Sequence, residues 1–242
     1  MMHFDFMAIA RAMPFLMNGL AFTVQLTVVA CLGGLVLGTG MAIIRQLDVP
    51  VAARIVNGYV TLMRCIPLIL VLFWFFFLVP LVLGYLSGSG RPIPLGPKNT
   101  AFVTFTMFEA AYYAEIVRSG FKAIPKGQYE GAKALGLSTA TMYASVIIPQ
   151  VLSATAPIIV TQTIILFQDT ALVYVLSLDD FLGVAAKIAQ RDSKLVEFYS
   201  FVAVVYFILC SAGSELAERL RKKAPNTVRR VKSFRVLGLP RP

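Results

Sequence analysis

The stretch GQYEGAKALGLSTATMYASVIIP, Gly127–Pro149, is a polar, helix-friendly island between two runs too apolar for anything but a membrane. Pro125-Lys126-Gly127 suits a helix entry, because proline favours a first turn and disfavours helix in the residue before it. Gln128–Leu135 is predicted as one short helix. Gly136 breaks it, and Ser138 offers a hydroxyl able to cap the next one, Thr139–Ile147. Tyr129, Ala132 and Leu135, with the small Ala134 beside them, form an apolar stripe at 3-to-4 spacing that fits a groove on another protein. Glu130 and Lys133 fall on its rim. The same periodicity fits an amphipathic helix lying on a bilayer.

Around this island, 58% of the 242 residues are hydrophobic and 14% are charged. Ordinary soluble domains carry about 25% charged residues. The polar surface is too small for a water-soluble globule of this size, and a lipid-facing exterior resolves the shortfall. Apolar length places five spans, at Leu20–Ile44, Cys65–Gly90, Asn99–Val117, Val146–Leu178 and Phe198–Ser214. Met1–Asn18 mixes Asp5, Arg11 and Pro14 with apolar residues and is expected to be an interfacial lead-in helix. The fold class is therefore all-α integral membrane: five transmembrane helices, an N-terminal interfacial helix and a cytoplasmic hook. Residues 1–218 are expected to form the membrane domain and 219–242 a basic cytoplasmic tail.

Charge sets the orientation. With five spans the termini lie on opposite sides. One side, with Arg45, Arg54, Arg64, Arg118, Lys122, Lys126, Lys133 and the C-terminal tail from Arg219, collects 16 of the 22 Lys and Arg. The positive-inside rule places the loop at about 122–147 and the C-terminus in the cytoplasm, with the N-terminus outside. The net charge of +10 follows from that asymmetry and suits a tail facing anionic lipid better than nucleic acid. Cys31, Cys65 and Cys210 sit in or beside apolar spans without metal spacing, and the lone histidine is His3, so no metal site is expected. Ser87–Asn99 is a Gly- and Pro-rich external loop, and Ser177–Glu197 a mixed-charge external stretch suited to a solvated face or a docking partner. No nucleotide-binding signature is present, so ATP is expected to be handled elsewhere.

Four stretches carry a family resemblance. Gly127–Pro149 resembles the EAA loop of bacterial ABC importer membrane subunits, with Gly131 standing where the family's first Ala stands. Tyr59–Leu68, YVTLMRCIPL, is similar to the Tyr-x-x-x-x-Arg-x-x-Pro-Leu stretch of polar amino acid permeases. Ala111–Gly120, AYYAEIVRSG, and Thr161–Leu182, TQTIILFQDTALVYVLSLDDFL, also match, in family order. Within that histidine/glutamine-permease-like family the chain looks most like glutamate/aspartate importer subunits, through Met107–Arg118, Leu166–Phe181 and Gln190–Glu197. Related permeases move glutamine, basic amino acids or cystine.

The resemblance implies a type I importer domain that performs no chemistry. Its implied partners are a cytoplasmic ATPase dimer that binds ATP and Mg, a second permease subunit (a copy or a paralogue) and an extracytoplasmic binding protein. It also implies an inner-membrane, multi-pass location. Gly127, Tyr129, Glu130, Gly131, Ala132, Leu135 and Gly136 would couple the chain to the ATPase. Inside the spans, Glu109, Gln162, Gln168, Asp169 and Thr170 are candidates for the substrate path. Ionisable groups at membrane depth cost about 2.5–3.5 kcal/mol on insertion scales, so they default to functional candidates. A buried carboxylate suits an amino acid's ammonium, with Thr163 and Thr170 nearby for hydrogen bonds, and Arg64 is a candidate partner for a carboxylate. The bland alternatives are that the acids only hold the bundle together and that Arg64 is a positive-inside anchor. Two further classes stand against the importer: a stand-alone secondary transporter, for which coupling-ion carboxylates and inverted repeats are missing, and a membrane enzyme, for which no nucleophile–base constellation is present.

Overall fold

In the computed structural model, which describes residues 4–223, every regular element is a helix. They are α1 (Phe6–Gln46), α2 (Pro50–Cys65), α3 (Leu68–Leu86), α4 (Pro97–Ala123), α5 (Lys126–Ala134), α6 (Thr139–Leu176), α7 (Phe181–Arg191) and α8 (Leu195–Lys223). Four of them, α1, α3, α6 and α8, are long and apolar enough to cross a membrane by length and composition alone. The 27-residue α4 is also long enough, but it carries Glu109, Glu115 and Arg118. Its burial explains why it tolerates them. One side of α4 from Thr100 to Phe121 is covered by neighbouring helices, so its polar groups meet protein before lipid.

The expected separate lead-in helix is not a separate element. From Phe6 the chain is helical without interruption through Pro14 and into the first span, 41 residues in all. At 1.5 Å per residue this is about 60 Å, twice a hydrocarbon core of about 30 Å. Asp5 caps its start, accepting a hydrogen bond from the Ala8 N–H at 3.0 Å, and Lys194 pairs with the same carboxylate. The first third of α1 packs on α7 and α8 through Ile9, Leu16, Phe181, Ala185 and Phe198.

Farther along, α1 has two unlike faces. Val24, Val28, Leu32 and Val36 are exposed at four-residue spacing, as a lipid face requires. Ala30, Gly34, Gly38 and Ala42 are buried at the same spacing, and Gly34 and Gly38 meet α4. A Cβ on Gly38 would stand 2.7 Å from the Ala110 carbonyl oxygen and 2.8 Å from the Ala114 nitrogen. Small residues let membrane helices approach this closely.

Prolines fall at two π-helical turns. Trp74–Leu78 precedes Pro80 and Met142–Ile147 precedes Pro149. Proline lacks an N–H and its ring crowds the carbonyl four residues back; a widened turn relieves that crowding without ending the helix. The second hook helix expected at Thr139–Ile147 is therefore the first part of α6, not a separate element. Between α2 and α3, Ile66 is extended, with φ −111° and ψ 136°, ahead of Pro67, which breaks the helix there. At the far end, α8 continues past residue 218 to Lys223, so 219–223 are helical. The remainder of the expected tail, 224–242, lies outside the described residues.

Candidate functional site

The break at Ile66-Pro67 opens a cleft of about 430 Å³ between α2–α3, α4 and α6. Its polar lining is Arg64, Tyr112, Gln162 and Asp169, set among Phe108, Pro67, Ile165 and Leu172. Three of the path candidates, Arg64, Gln162 and Asp169, thus share one cavity. Glu109 stands behind it, 1% exposed, and its Oε1 accepts a hydrogen bond from the Gln162 Nε2 at 3.2 Å. Its Oε2 is buried without a hydrogen-bond partner. The Arg64 guanidinium lies over the Tyr112 ring, 5.6 Å from its centroid.

The other candidates are placed elsewhere. Gln168 turns toward α8, where its Nε2 lies 3.5 Å from the Cys210 sulfur. Thr170 is buried and donates to the Phe167 carbonyl at 2.7 Å, a local turn contact. Thr163 belongs to a packing cluster in which its hydroxyl lies 3.0 Å from the Tyr113 hydroxyl and 3.4 Å from the Cys31 sulfur. Period explains the division. Gln162, Ile165 and Asp169 share one helical face, which Thr163 and Thr170 leave by a single residue.

Away from the cleft, α5 forms the hook between α4 and α6. Its end follows the expected grammar. Gly136 has φ +73°, and the Leu137 N–H bonds the Ala132 carbonyl at 3.2 Å, closing a left-handed cap that favours glycine. The Ser138 Oγ accepts from the Thr141 N–H at 3.2 Å. Gln150 Nε2 donates to Gln128 Oε1 at 3.0 Å, tying the hook to α6.

The expected single stripe of Tyr129, Ala132 and Leu135 is corrected. Tyr129 and Ala132 turn inward onto the chain's own core of Val117, Phe121, Met142, Ile147 and Val151. The Tyr129 ring stands 6.3 Å from that of Tyr143. Leu135 lies beyond the last helical residue, Ala134, and is 80% exposed. The outward face of the hook is Gly127, Glu130, Gly131 and Leu135, and a Cβ on Gly127 or Gly131 would meet nothing within 4 Å.

Residue-by-residue reading missed a cluster beside the cleft. Glu115 accepts from Arg45 Nη1 at 2.9 Å and from Arg118 Nε at 3.2 Å, and Arg64 Nη1 lies 4.0 Å away. The i,i+3 spacing of Glu115 and Arg118 signals part of it; Arg45 and Arg64 come from other helices. Between the candidate spans α6 and α8, Asp180 caps α7 by accepting from the Leu182 and Gly183 N–H groups, each at 3.1 Å. Burial pushes its carboxyl up to about 6, against those two bonds. The neighbouring Phe181 N–H donates to Thr23 Oγ1 at 3.1 Å, which pins α7 to α1.

Several membrane-length helices, a polar cleft between them and a structured helical hook between two of them define the membrane subunit of a transport system. The chain belongs to the family described as the binding-protein-dependent transport system inner membrane component, whose model matches residues 34–223. It is a multi-pass inner-membrane permease subunit of such a system. The glutamate/aspartate import permease protein GltK of Escherichia coli O6:H1 is 40% identical over 228 residues, covering 92% of this chain and 99% of the relative. The arginine transport system permease protein ArtQ of Bacillus subtilis strain 168 is 30% identical, covering 92% and 98%. Among solved structures, the crystal structure of an amino acid ABC transporter with histidines superposes with a TM-score of 0.76 at 26% identity, covering 92% of this chain and all of the other.

Proposed function

We propose that this chain is the membrane-spanning subunit of an ATP-driven importer of glutamate and aspartate. The observation that carries the substrate class is full-length similarity, at 40% identity, to a relative named for glutamate and aspartate import. The cleft supports it chemically. Arg64 supplies a cation for a carboxylate, while Asp169 and the Gln162–Glu109 pair supply acceptors for an ammonium group. The chain translocates without reacting. Two permease subunits, identical or paralogous, frame the path, and an extracytoplasmic binding protein delivers the solute. Two cytoplasmic ATPase subunits bind ATP and Mg, and their closure is transmitted through the hook face at Gly127, Glu130, Gly131 and Leu135. Gly136 serves as the stop that fixes the hook's end.

The test is uptake into proteoliposomes holding the purified permease–ATPase complex, with the cognate binding protein added outside. Uptake of L-glutamate and L-aspartate that requires both ATP and binding protein is the expected result. ATP-dependent uptake of arginine or glutamine instead would transfer the reading to another polar amino acid. Uptake by this chain alone without ATP would return it to the secondary transporters.

A further inference from the structure

The side chains around Glu115 are unbalanced. Three guanidinium groups, from Arg45, Arg64 and Arg118, converge on one carboxylate, and among the described residues none of the three pairs with another acid. Glu115 already accepts three hydrogen bonds from two of them. Arg118 bonds both of its oxygens, and Arg45 takes a further place on Oε2. Arg64 comes last to Oε2, at 4.0 Å, outside hydrogen-bond range. It is also the most exposed of the three, at 42% against 12% for Arg45, and the one that lines the cleft. The Tyr112 ring beneath it supplies a second resting place.

We propose that Glu115 is a positioning residue that keeps Arg64 loosely held, so that its guanidinium exchanges between Glu115 and a carboxylate of the transported solute. This rests on the reading of the chain as an amino acid permease. Arg45 and Arg118 share the charge of Glu115 and both stand closer to it than Arg64 does, which weakens its hold on Arg64. A carboxylate entering the cleft gains an under-satisfied bidentate donor. On departure, Glu115 takes the guanidinium back, so the solute is not trapped. The site takes a carboxylate, and its cation is tuned by a residue that never touches the solute.

Cys65, the next residue, is exposed in the same cleft and reports occupancy. The experiment is maleimide labelling of the assembled permease–ATPase complex without ATP, at increasing L-glutamate. Labelling is read at Cys65 by peptide mass spectrometry, so that Cys31 and Cys210 are scored separately. In wild type, L-glutamate slows Cys65 labelling and butylamine, which lacks a carboxylate, does not. Glu115→Gln frees Arg64 and lowers the half-protecting concentration at least about threefold, the effect of one partly screened ion pair. Transport KM and kcat then fall together, because release slows. Arg45→Gln vacates a place on Glu115, strengthens its hold on Arg64 and raises the half-protecting concentration; this variant suffices if Glu115→Gln fails to assemble. Glu115→Asp, which keeps the charge, restores wild-type behaviour. Half-protection that is unchanged, or that moves in the same direction for Glu115→Gln and Arg45→Gln, overturns the proposal and leaves a structural cluster. Absence of any protection by L-glutamate in wild type overturns the amino acid reading beneath it.

Discussion

Gln162 and Glu109 meet across the contact between α6 and α4, with the amide Nε2 3.2 Å from the carboxyl Oε1. The pair joins the wall of the cleft to a carboxyl group that is only 1% exposed. With Oε2 unpartnered, the single bond to Gln162 carries the polar satisfaction of Glu109. Gln162→Leu should therefore destabilise the purified protein by about 1–3 kcal/mol, the cost of an orphaned buried polar group. Glu109→Gln keeps the shape and removes the acid, and should cost less than half as much. Thermal unfolding in detergent measures both, and equal losses would contradict the assignment.

The α1–α4 contact gives a sharper steric prediction. Gly38→Leu drives a side chain into backbone 2.7 Å from its Cβ position and should abolish recovery of folded protein. Gly40→Ala, where a Cβ meets nothing within 4 Å, should leave recovery unchanged. Monodisperse yield on size exclusion reads both.

Within the hook, two glycines have opposite requirements. Gly131→Ala is placed in open space on a helix and should stabilise α5 by up to about 1 kcal/mol while keeping ATP-dependent uptake. Gly136→Ala must adopt φ +73° and should cost about 1 kcal/mol, with reduced uptake from a frayed hook. Uptake assays on the pair check the order.

Asp180 predicts a pH effect of unusual sign. Its folded value of about 6 lies above the ordinary 3.8, so folding favours the protonated acid. Its contribution to stability is greatest below 3.8, declines as pH rises toward 6, and is level above that. Asp5 acts in the opposite sense at lower pH: Lys194 holds its carboxyl below 3.8, and that contribution is lost on further acidification. Asp180→Asn, which retains an N-cap oxygen, should flatten the Tm-against-pH curve between pH 4 and pH 6 without changing it below 3.8. An unaltered curve would contradict the buried-acid account.

Helix, Gly136 stop and Ser138 cap were legible in Gly127–Pro149 because each depends on neighbours in sequence. The spans were legible for the same reason, since apolar length is a local property. The direction in which the hook faces was not. Tyr129 and Ala132 are apolar whether they meet a partner or their own chain, and only Phe121, Met142 and Ile147 packing beneath them decides. The continuity of α6 through Pro149 was hidden by the rule that proline ends helices, which a π turn circumvents. Polarity at membrane depth singled out Gln162 and Asp169, and the fold brings both into one cleft with Arg64. The exclusion of Gln168 and Thr170 depends on where α8 and the Phe167 carbonyl lie. The Glu115 cluster joins Arg45, 70 positions away, and no sequence spacing announces that.

The central claim is that the outward face of the hook passes ATP-driven motion to the spans, and co-purification of the cognate ATPase with Leu135→Glu tests it most directly. The side chain is 80% exposed, so the variant should insert and fold as wild type does. The account predicts that the ATPase is lost from the purified complex and that ATP-dependent uptake disappears with it. Retention of the ATPase at wild-type stoichiometry together with full uptake, in this variant and in Glu130→Ala, would contradict it.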